Sequence, residues 1–355
     1  MSSLTPIITV LMPVYNGECY LREAMDSILN QSFVNFEFLI IDDGSTDASV
    51  DIIQKYQDPR IRFVQNQKNI GISATLNRGI DLCNTELIAR MDADDISYPD
   101  RLQKQVAYML AHPDCGLLST WARVVTHDKR PVRLEKYSRR FYYYNLNFEC
   151  WIYHPTVVLR KTAVVSAGMY SKPYSEDYDL FWKIAREYKI DNLDEPLLDY
   201  RLSPTSLNTV LKKAEYDLAN RENVMRNLRY YMGDDFDLPD EFLECLRHNF
   251  GPISALSSVE KWLECLQILE KITIAIGHHP NVNRNLGDIN EAAFHKKDFM
   301  VEQIFLQSTG FQKFKFIFQA GKPQILFRKI EKSLRWRFNS AKRRFRSTNN
   351  RKFSL

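Results

Sequence analysis

The sequence predicts an α/β protein whose mostly parallel sheet is covered by helices on both faces. Apolar runs alternate with amphipathic helical stretches over the first hundred residues. The runs are rich in Val and Ile without polar alternation, which is typical of strands buried on both faces. Polar clusters follow the first, second and fourth runs, and parallel strands bring such clusters to one edge of a sheet.

The first elements follow in a regular order. Strands are predicted at IITVLMPV, FEFLIIDDGS, IRFVQN and ELIARMD. The first helix carries Leu21, Met25, Ile28 and Leu29 on one face, the second starts near Thr46, and the third covers ISATLNRGIDLC. The polar clusters at the strand ends are PVYN, DDGSTD and DADD.

Beyond residue 112 further strands are predicted at CGLLSTWARVVT, HPTVVLRK and EPLLDYRL, with a helix around EDYDLFWKIAREY. From about residue 207 the apolar spacing becomes helical, as in Val259, Leu263, Leu266, Leu269 and Ile272. We therefore expect an α/β domain over 1–205, a helical region over 206–321 and a basic tail over 322–355.

Several classes of protein do not fit the composition. The N-terminus lacks the basic region of a signal peptide, and no apolar stretch approaches the roughly 20 residues that span a bilayer. The six cysteines are scattered without a CxxC pair, which indicates neither a disulfide framework nor a thiolate zinc site. A cytoplasmic location is expected, with peripheral attachment to the inner face of the cell membrane left open.

The acidic stretch ARMDADDISYPDR follows the fourth predicted strand. In extended backbone Asp92 and Asp94 would share a face while Asp95 points away. Carboxylates at a strand end suit Mg²⁺ or Mn²⁺. A solvated turn that caps the next helix is the alternative, but a cap needs one aspartate and not three.

No glycine-rich phosphate loop accompanies this sheet, so a bound nucleotide diphosphate would need another source of positive charge. A cation held by carboxylates supplies it. Tyr15 could stack on a base and Asp43 could accept a base N–H, although a packed tyrosine and a routine Asp-Gly-Ser turn are equally compatible with these residues.

Taken together, five motifs resemble the family 2 glycosyltransferases of bacterial cell-surface polysaccharide synthesis. They cover about residues 7–202 in the family's order. They are VLMPVYNGECYLREAMDSILNQSFVNFEFLIIDDGSTDAS, NIGISATLNRGI, ELIARMDADDISYPDRL, HPTVVLRK and SEDYDLFWK. The resemblance implies the GT-A fold and transfer of a sugar, with a UDP-sugar favoured, from a nucleotide diphosphate to a glycan or lipid-linked acceptor.

The resemblance also assigns residues. Pro13, Tyr15, Asp43, Asp92 and Arg201 would contact the nucleotide. Asp94, with Asp92 and Asp95, would hold Mn²⁺ or Mg²⁺. Asp177 would be the catalytic base, with Glu176 beside it near the acceptor. The family loop often reads Tyr-Arg-x-His, and Ser203 stands at the His position here, which puts a contact from that site in doubt.

A single base and an in-line displacement predict inversion at the anomeric carbon. Arg335-Trp336 lacks the Gln of the QxxRW motif of processive relatives, so one sugar per acceptor is expected. A non-catalytic nucleotide-sugar-binding protein and a metal-dependent nucleotidyltransferase are the alternatives. Pyrophosphate release would identify the latter.

The segment 322–352 carries twelve Lys/Arg against one acid, Glu331. Its apolar residues recur every three or four positions, which predicts a basic amphipathic helix. That helix could pack on the protein itself or lie on an anionic membrane surface. Nucleic acid is not an expected partner, because no nucleic-acid motif accompanies the charge.

Overall fold

The structure, a computed structural model, describes residues 5–203 and 212–324. Within these ranges nine strands form one sheet. The strands are β1 (Ile8–Val14), β2 (Phe36–Asp42), β3 (Ile61–Gln65), β4 (Leu87–Arg90), β5 (Ile96–Ser97), β6 (Cys115–Val125), β7 (Pro131–Glu135), β8 (Val158–Arg160) and β9 (Lys189–Arg201). Their order is β3-β2-β1-β4-β8-β6-β9-β5, and β7 pairs with β6 outside this path.

The first half of the sheet is parallel and the second half is mixed. Strands β1 to β4 pair in parallel, as do β6 and β9. Strand β8 lies between β4 and β6 and runs antiparallel to both, and β5 and β7 add antiparallel pairs. The predicted α/β class is confirmed, but the antiparallel half was not predicted, because an apolar run carries no information about strand direction.

Thirteen helices lie within the described ranges. They are α1 (Leu21–Leu29), α2 (Ser49–Gln54), α3 (Ile72–Leu82), α4 (Arg101–Ala111), α5 (Tyr142–Asn145), α6 (Lys161–Ser166), α7 (Glu176–Glu187), α8 (Lys213–Met232), α9 (Asp240–Leu246), α10 (Gly251–Ala255), α11 (Val259–His278), α12 (Leu286–Gln307) and α13 (Gln312–Gln319). Two short 3-10 helices, Arg139–Phe141 and His154–Thr156, connect strands of the sheet.

Burial explains why the apolar runs form central strands. All seven residues of β1 and all four of β4 are buried, so both faces of these strands are covered. Helix α1 buries Leu21, Ala24, Met25 and Ile28, which recur at helical spacing and join the same core. Strand β9 begins at Lys189, six residues before the predicted run, because its first half alternates polar and apolar residues.

The sheet register places several polar loops at one edge. Leu11 of β1 is paired with Arg90 of β4, and Val14 is paired with Asp42 of β2. The loops that begin at Tyr15, Asp43 and Met91 therefore leave neighbouring parallel strands at their carboxyl ends, where open α/β sheets bind ligands.

The chain divides into two compact units. The first comprises residues 1–237 and 275–292, and the second comprises residues 238–274 and 293–355. All nine strands lie in the first unit, and the described part of the second is helical. The predicted boundary at residues 205 and 206 and most of the predicted basic tail, from residue 325 onward, lie outside the described residues. Among the described helices, none is both long and apolar enough to cross a bilayer.

Candidate active site

The three aspartates after β4 form one cluster. Each of Asp92, Asp94 and Asp95 places a carboxylate oxygen within 4.8 Å of the others. The expectation that Asp95 points away from Asp92 and Asp94 was wrong, because the strand ends at Arg90 and the chain then turns. Alternation of side chains applies only while the backbone stays extended.

Burial and mutual repulsion favour protonation in this cluster. Burial, followed by the charge of Asp92, raises the pKa of Asp94 to about 7. Burial, followed by the charges of Asp94 and Asp92, raises the pKa of Asp95 well above its usual value. The Oδ2 atom of Asp95 is buried and has no hydrogen-bond partner among the described residues. The chain's own cations therefore do not offset the burial of the three carboxylates and their mutual repulsion.

Arg201, the last residue of β9, holds the backbone of this cluster. Its Nε donates to the carbonyl oxygen of Asp94 at 2.7 Å, and its backbone N–H donates to Asp95 Oδ1 at 2.8 Å. Its two other nitrogens donate to the His127 carbonyl at 2.7 Å and to Glu23 Oε2 at 2.6 Å. Arg201, which the motifs assign to the nucleotide, is only 3% exposed and its guanidinium donates to groups of the chain itself, so we expect it to position the aspartate cluster instead of contacting the nucleotide.

Arg90 is a second buried arginine, and its charge acts on both acidic groups of the site. It forms an ion pair with Asp92 and is 4% exposed. Its charge lowers the pKa values of Asp94, Glu176 and Asp177, against the larger effect of burial. The aspartate cluster and the start of α7 therefore face one shared cation.

Glu176 and Asp177 form the first turn of α7. The preceding residue, Ser175, has a left-handed backbone conformation with φ of 53°, which is uncommon for a residue with a side chain. Ser175 Oγ donates to Asn220 Oδ1 at 2.5 Å, and Asn223 Nδ2 donates to the Ser175 carbonyl at 3.2 Å. Helix α8 thus fixes the strained turn that directs both carboxylates.

The two carboxylates differ in their environments. Glu176 is 5% exposed, and burial, followed by the charge of Asp177, raises its pKa to about 8. Burial also raises the pKa of Asp177, while the N–H of Tyr178 opposes this shift by donating to Asp177 Oδ1 at 2.7 Å. Asp177 is only partly buried. At neutral pH Glu176 is therefore predominantly protonated, and Asp177 is the carboxylate that solvent or a substrate can reach.

His154 lies beside Glu176 and is uncharged. Its Nδ1 is 3.9 Å from Glu176 Oε1, and its Nε2 shares a 2.8 Å hydrogen bond with the Tyr170 hydroxyl. Burial, followed by the charge of Arg90, lowers the pKa of His154 well below its usual value. Neutral His154 and protonated Glu176 therefore form a buried polar pair that carries no net charge.

Asp43, after β2, organises a neighbouring loop. Its carboxylate accepts hydrogen bonds from Asn66 Nδ2 at 2.7 Å and from the backbone N–H groups of Ile70 and Gly71 at 2.9 and 3.0 Å. Gly44, the next residue, has φ of +75°, and a Cβ there would lie 2.7 Å from the backbone nitrogen of Asn69. The Asp-Gly pair therefore brings two loops into contact at this edge of the sheet.

The loop after β1 is open to solvent. Pro13 is buried within β1 and is paired with Ile41 in the sheet register. Tyr15 is 52% exposed, so its ring is accessible to a ligand. A Cβ on Gly17 would lie 3.5 Å from Ala93 Cβ, which shows that this loop also approaches the aspartate cluster.

The aspartate cluster has the properties of a divalent cation site. It offers three hard oxygen donors on a short segment, and one buried oxygen without a partner. Mg²⁺ and Mn²⁺ bind such oxygen sets and keep positions for water and phosphate. The residues present fit the cation that the motifs predict.

The structure thus brings together the predicted Asp92, Asp94 and Asp95. Arg90 pairs with Asp92, and its charge also acts on the predicted Asp177 at the start of α7. Sequence reasoning missed Arg90 and His154. Arg90 interrupts the apolar run ELIARMD, and a charged residue in a buried strand is a signal of a functional role. His154 stands in a recognised motif, but its contact with Glu176 spans twenty-two residues of sequence.

Comparisons with known proteins show the family and the fold of the chain. The family model "Glycosyl transferase family 2" matches residues 9–167. An uncharacterised glycosyltransferase of Methanocaldococcus jannaschii is 32% identical over 239 residues, 64% of this chain and 82% of the relative. The O-antigen biosynthesis glycosyltransferase WbnJ of Escherichia coli is 33% identical over 251 residues, 68% of this chain and 94% of the relative.

The crystal structure of residues 1–349 of TarS from S. aureus, in complex with UDP-GlcNAc, shares the fold. The TM-score is 0.51 at 16% identity, and the match covers 93% of this chain and 91% of that chain. The chain belongs to the family 2 glycosyltransferases and has their GT-A fold.

Proposed function

We propose that the chain transfers one sugar, with inversion, from a nucleotide diphosphate sugar to a hydroxyl of a glycan or lipid-linked acceptor in cell-surface polysaccharide biosynthesis. The observation that carries this proposal is the cluster of Asp92, Asp94 and Asp95 near Asp177, with the charge of Arg90 acting on both groups. The name of the E. coli relative, an O-antigen biosynthesis enzyme, supports the polysaccharide setting. A UDP-sugar is the first donor to test.

At the donor end, Asp94 would be the main ligand of Mn²⁺ or Mg²⁺, with Asp92 and Asp95 assisting. A cation bound there supplies positive charge for the diphosphate leaving group. Arg201 keeps the cluster in place by holding the Asp94 carbonyl and bonding Asp95 through its backbone N–H. We assign the exposed ring of Tyr15, together with Pro13 and the loop held by Asp43, to the nucleotide base.

At the acceptor end, Asp177 would accept the proton of the acceptor hydroxyl as that oxygen forms a bond to the anomeric carbon. The bond from the anomeric carbon to the diphosphate oxygen breaks in the same step, so the configuration inverts. The raised pKa of Asp177 makes it a stronger base than an exposed aspartate. Glu176, protonated at neutral pH, would keep a second negative charge away from Asp177.

The basic segment 322–352 would attach the enzyme to anionic lipids on the inner face of the cell membrane. Attachment of the enzyme to the bilayer would bring the active site close to a lipid-linked acceptor. Most of this segment lies outside the described residues, so its charge is the support for the proposal.

Turnover of a panel of nucleotide sugars, with EDTA and then with Mn²⁺ or Mg²⁺ restored, tests the proposed reaction. The unchanged chain should release nucleoside diphosphate with the cation, and Asp94→Asn should lose this activity. Asp114→Asn, an exposed aspartate that pairs with Lys189, is the matched control and should keep it. Full activity in Asp94→Asn, release of pyrophosphate, or nucleotide-sugar binding without any turnover would each refute the proposed reaction.

A further inference from the structure

One side of α13 exposes two phenylalanines to solvent. Phe311, just before the helix, is 84% exposed and Phe318 is 59% exposed, and Lys315 between them is also exposed. Spacings of four and three residues place these side chains on one side of the helix. Phe316 and Ile317 are completely buried on the other side. Helix α13 therefore has one apolar side that packs in the second unit and one aromatic side that does not.

One of the two exposed rings, Phe311, contacts a row of aromatic rings that leads inward. The ring centroids of Phe311 and Phe314 are 5.5 Å apart, and those of Phe314 and Phe305 are 5.6 Å apart. Phe305 is 6% exposed, and the ammonium of Lys313 lies 5.4 Å from its ring. These contacts hold Phe311 at the start of α13.

The sequence around α13 is basic. No Asp or Glu occurs from residue 303 to residue 330, Lys313 and Lys315 lie in the helix, and Lys322, just after it, forms an ion pair with Asp298. The 31 residues that follow the described part, 325–355, carry eleven Lys/Arg and one acid, Glu331. Anionic lipid headgroups complement such a basic segment, because their negative charge attracts Lys and Arg side chains near the membrane surface.

We propose that the Phe311, Lys315 and Phe318 side of α13 is a docking surface that enters the interface of an anionic lipid bilayer. The inference rests on the membrane attachment proposed for 322–352, and it adds the residues that insert. The two aromatic rings insert at the boundary between the lipid headgroups and the acyl chains, while the ammonium of Lys315 contacts the lipid phosphates. Charge alone would give binding that salt abolishes, whereas burial of the rings adds attraction that salt does not screen.

The experiment compares full-length variants for binding to phosphatidylcholine vesicles with and without phosphatidylglycerol. The unchanged chain should bind the anionic vesicles and keep part of that binding in high salt. Phe311→Ser combined with Phe318→Ser should weaken vesicle binding by about tenfold or more. Moving one phenylalanine side chain from water into an apolar environment changes an equilibrium constant by more than about tenfold. The remaining binding should disappear in high salt.

Leu110→Ser combined with Ile274→Ser is the matched control, since these residues are 62% and 59% exposed and lie elsewhere on the chain. It should bind as the unchanged chain does. Phe318→Trp gives an independent readout, because lipids brominated on their acyl chains should quench the additional fluorescence.

Equal vesicle binding of the phenylalanine variant and the unchanged chain would overturn the docking surface while leaving the attachment through 322–352 in place. That result, with a loss of thermal stability in solution, would show instead that the chain's own residues cover this side of α13. Absence of vesicle binding by the unchanged chain would overturn both the attachment and the surface. Sugar transfer to a soluble acceptor is measured separately, so its failure concerns the proposed reaction alone.

Discussion

Replacement of Asp177 by Asn separates catalysis from binding at this site. Asn has nearly the same shape as Asp, and its side-chain oxygen can still accept the Tyr178 N–H that Asp177 Oδ1 accepts at 2.7 Å. The Arg90 to Asp92 ion pair does not involve Asp177. The substitution therefore removes the base and leaves the aspartate cluster as it is.

The expected loss is that of a general base. Positioned bases contribute a factor of about 10²–10⁴ to a rate, which corresponds to about 3–5 kcal/mol in the barrier. The affinity for the nucleotide sugar should change by less than about threefold, or about 0.7 kcal/mol. The stability should not fall, because burial makes ionised Asp177 less favourable in the folded state than in the unfolded chain, and the neutral amide of Asn avoids that cost.

The assay measures the rate of sugar transfer at saturating donor, with donor affinity measured by calorimetry and the thermal midpoint on the same samples. Glu176→Gln is the comparison, since Glu176 is already protonated at neutral pH and the amide should retain most of the rate. A transfer rate of Asp177→Asn within about threefold of the unchanged enzyme would refute the assignment of the base. Loss of donor binding would show that Asp177 belongs to the donor site instead.

Three further predictions concern stability and the cation. Gly44→Ala should lower the free energy of unfolding by about 2 kcal/mol, because the residue has a positive φ and the added Cβ would lie 2.7 Å from backbone atoms. Urea unfolding should show no such loss for Gly251→Ala, where the atom nearest to the added Cβ is 3.7 Å away. The pKa of Glu176 is raised from 4.5 to about 8, so the unchanged protein loses stability as pH rises through that window. Thermal midpoints of Glu176→Gln should fall less between pH 5 and pH 8, and parallel curves would contradict the shift. Arg201→Met leaves the carbonyl of Asp94 without its donor, which should lower the free energy of unfolding by about 2 kcal/mol. It should also weaken Mn²⁺ binding in a calorimetric titration. Unchanged Mn²⁺ affinity would show that Arg201 does not position the cluster.

Residue patterns were sufficient for the elements that local chemistry specifies. Mostly apolar runs such as that of β1 are typical of strands buried on both faces, and helical spacing in α1 and α11 marks their packed sides. The short strand β5 and the hairpin strand β7 were missed, because β5 has two residues and four of the five residues of β7 are exposed. The two apolar residues of β7, Val132 and Leu134, are among those exposed residues.

By itself, the sequence determined which carboxylates stand at strand and helix ends, since Asp94 and Asp177 belong to motifs that are local in the chain. Only the tertiary structure decided their protonation and their support. Burial makes Glu176 an acid with a pKa of about 8, and Arg90 joins the two acidic groups. Arg201, more than a hundred residues away, donates to the backbone carbonyl of Asp94 and to the carboxylate of Asp95. Burial and long-range contacts depend on how distant segments pack, and no local pattern encodes that packing.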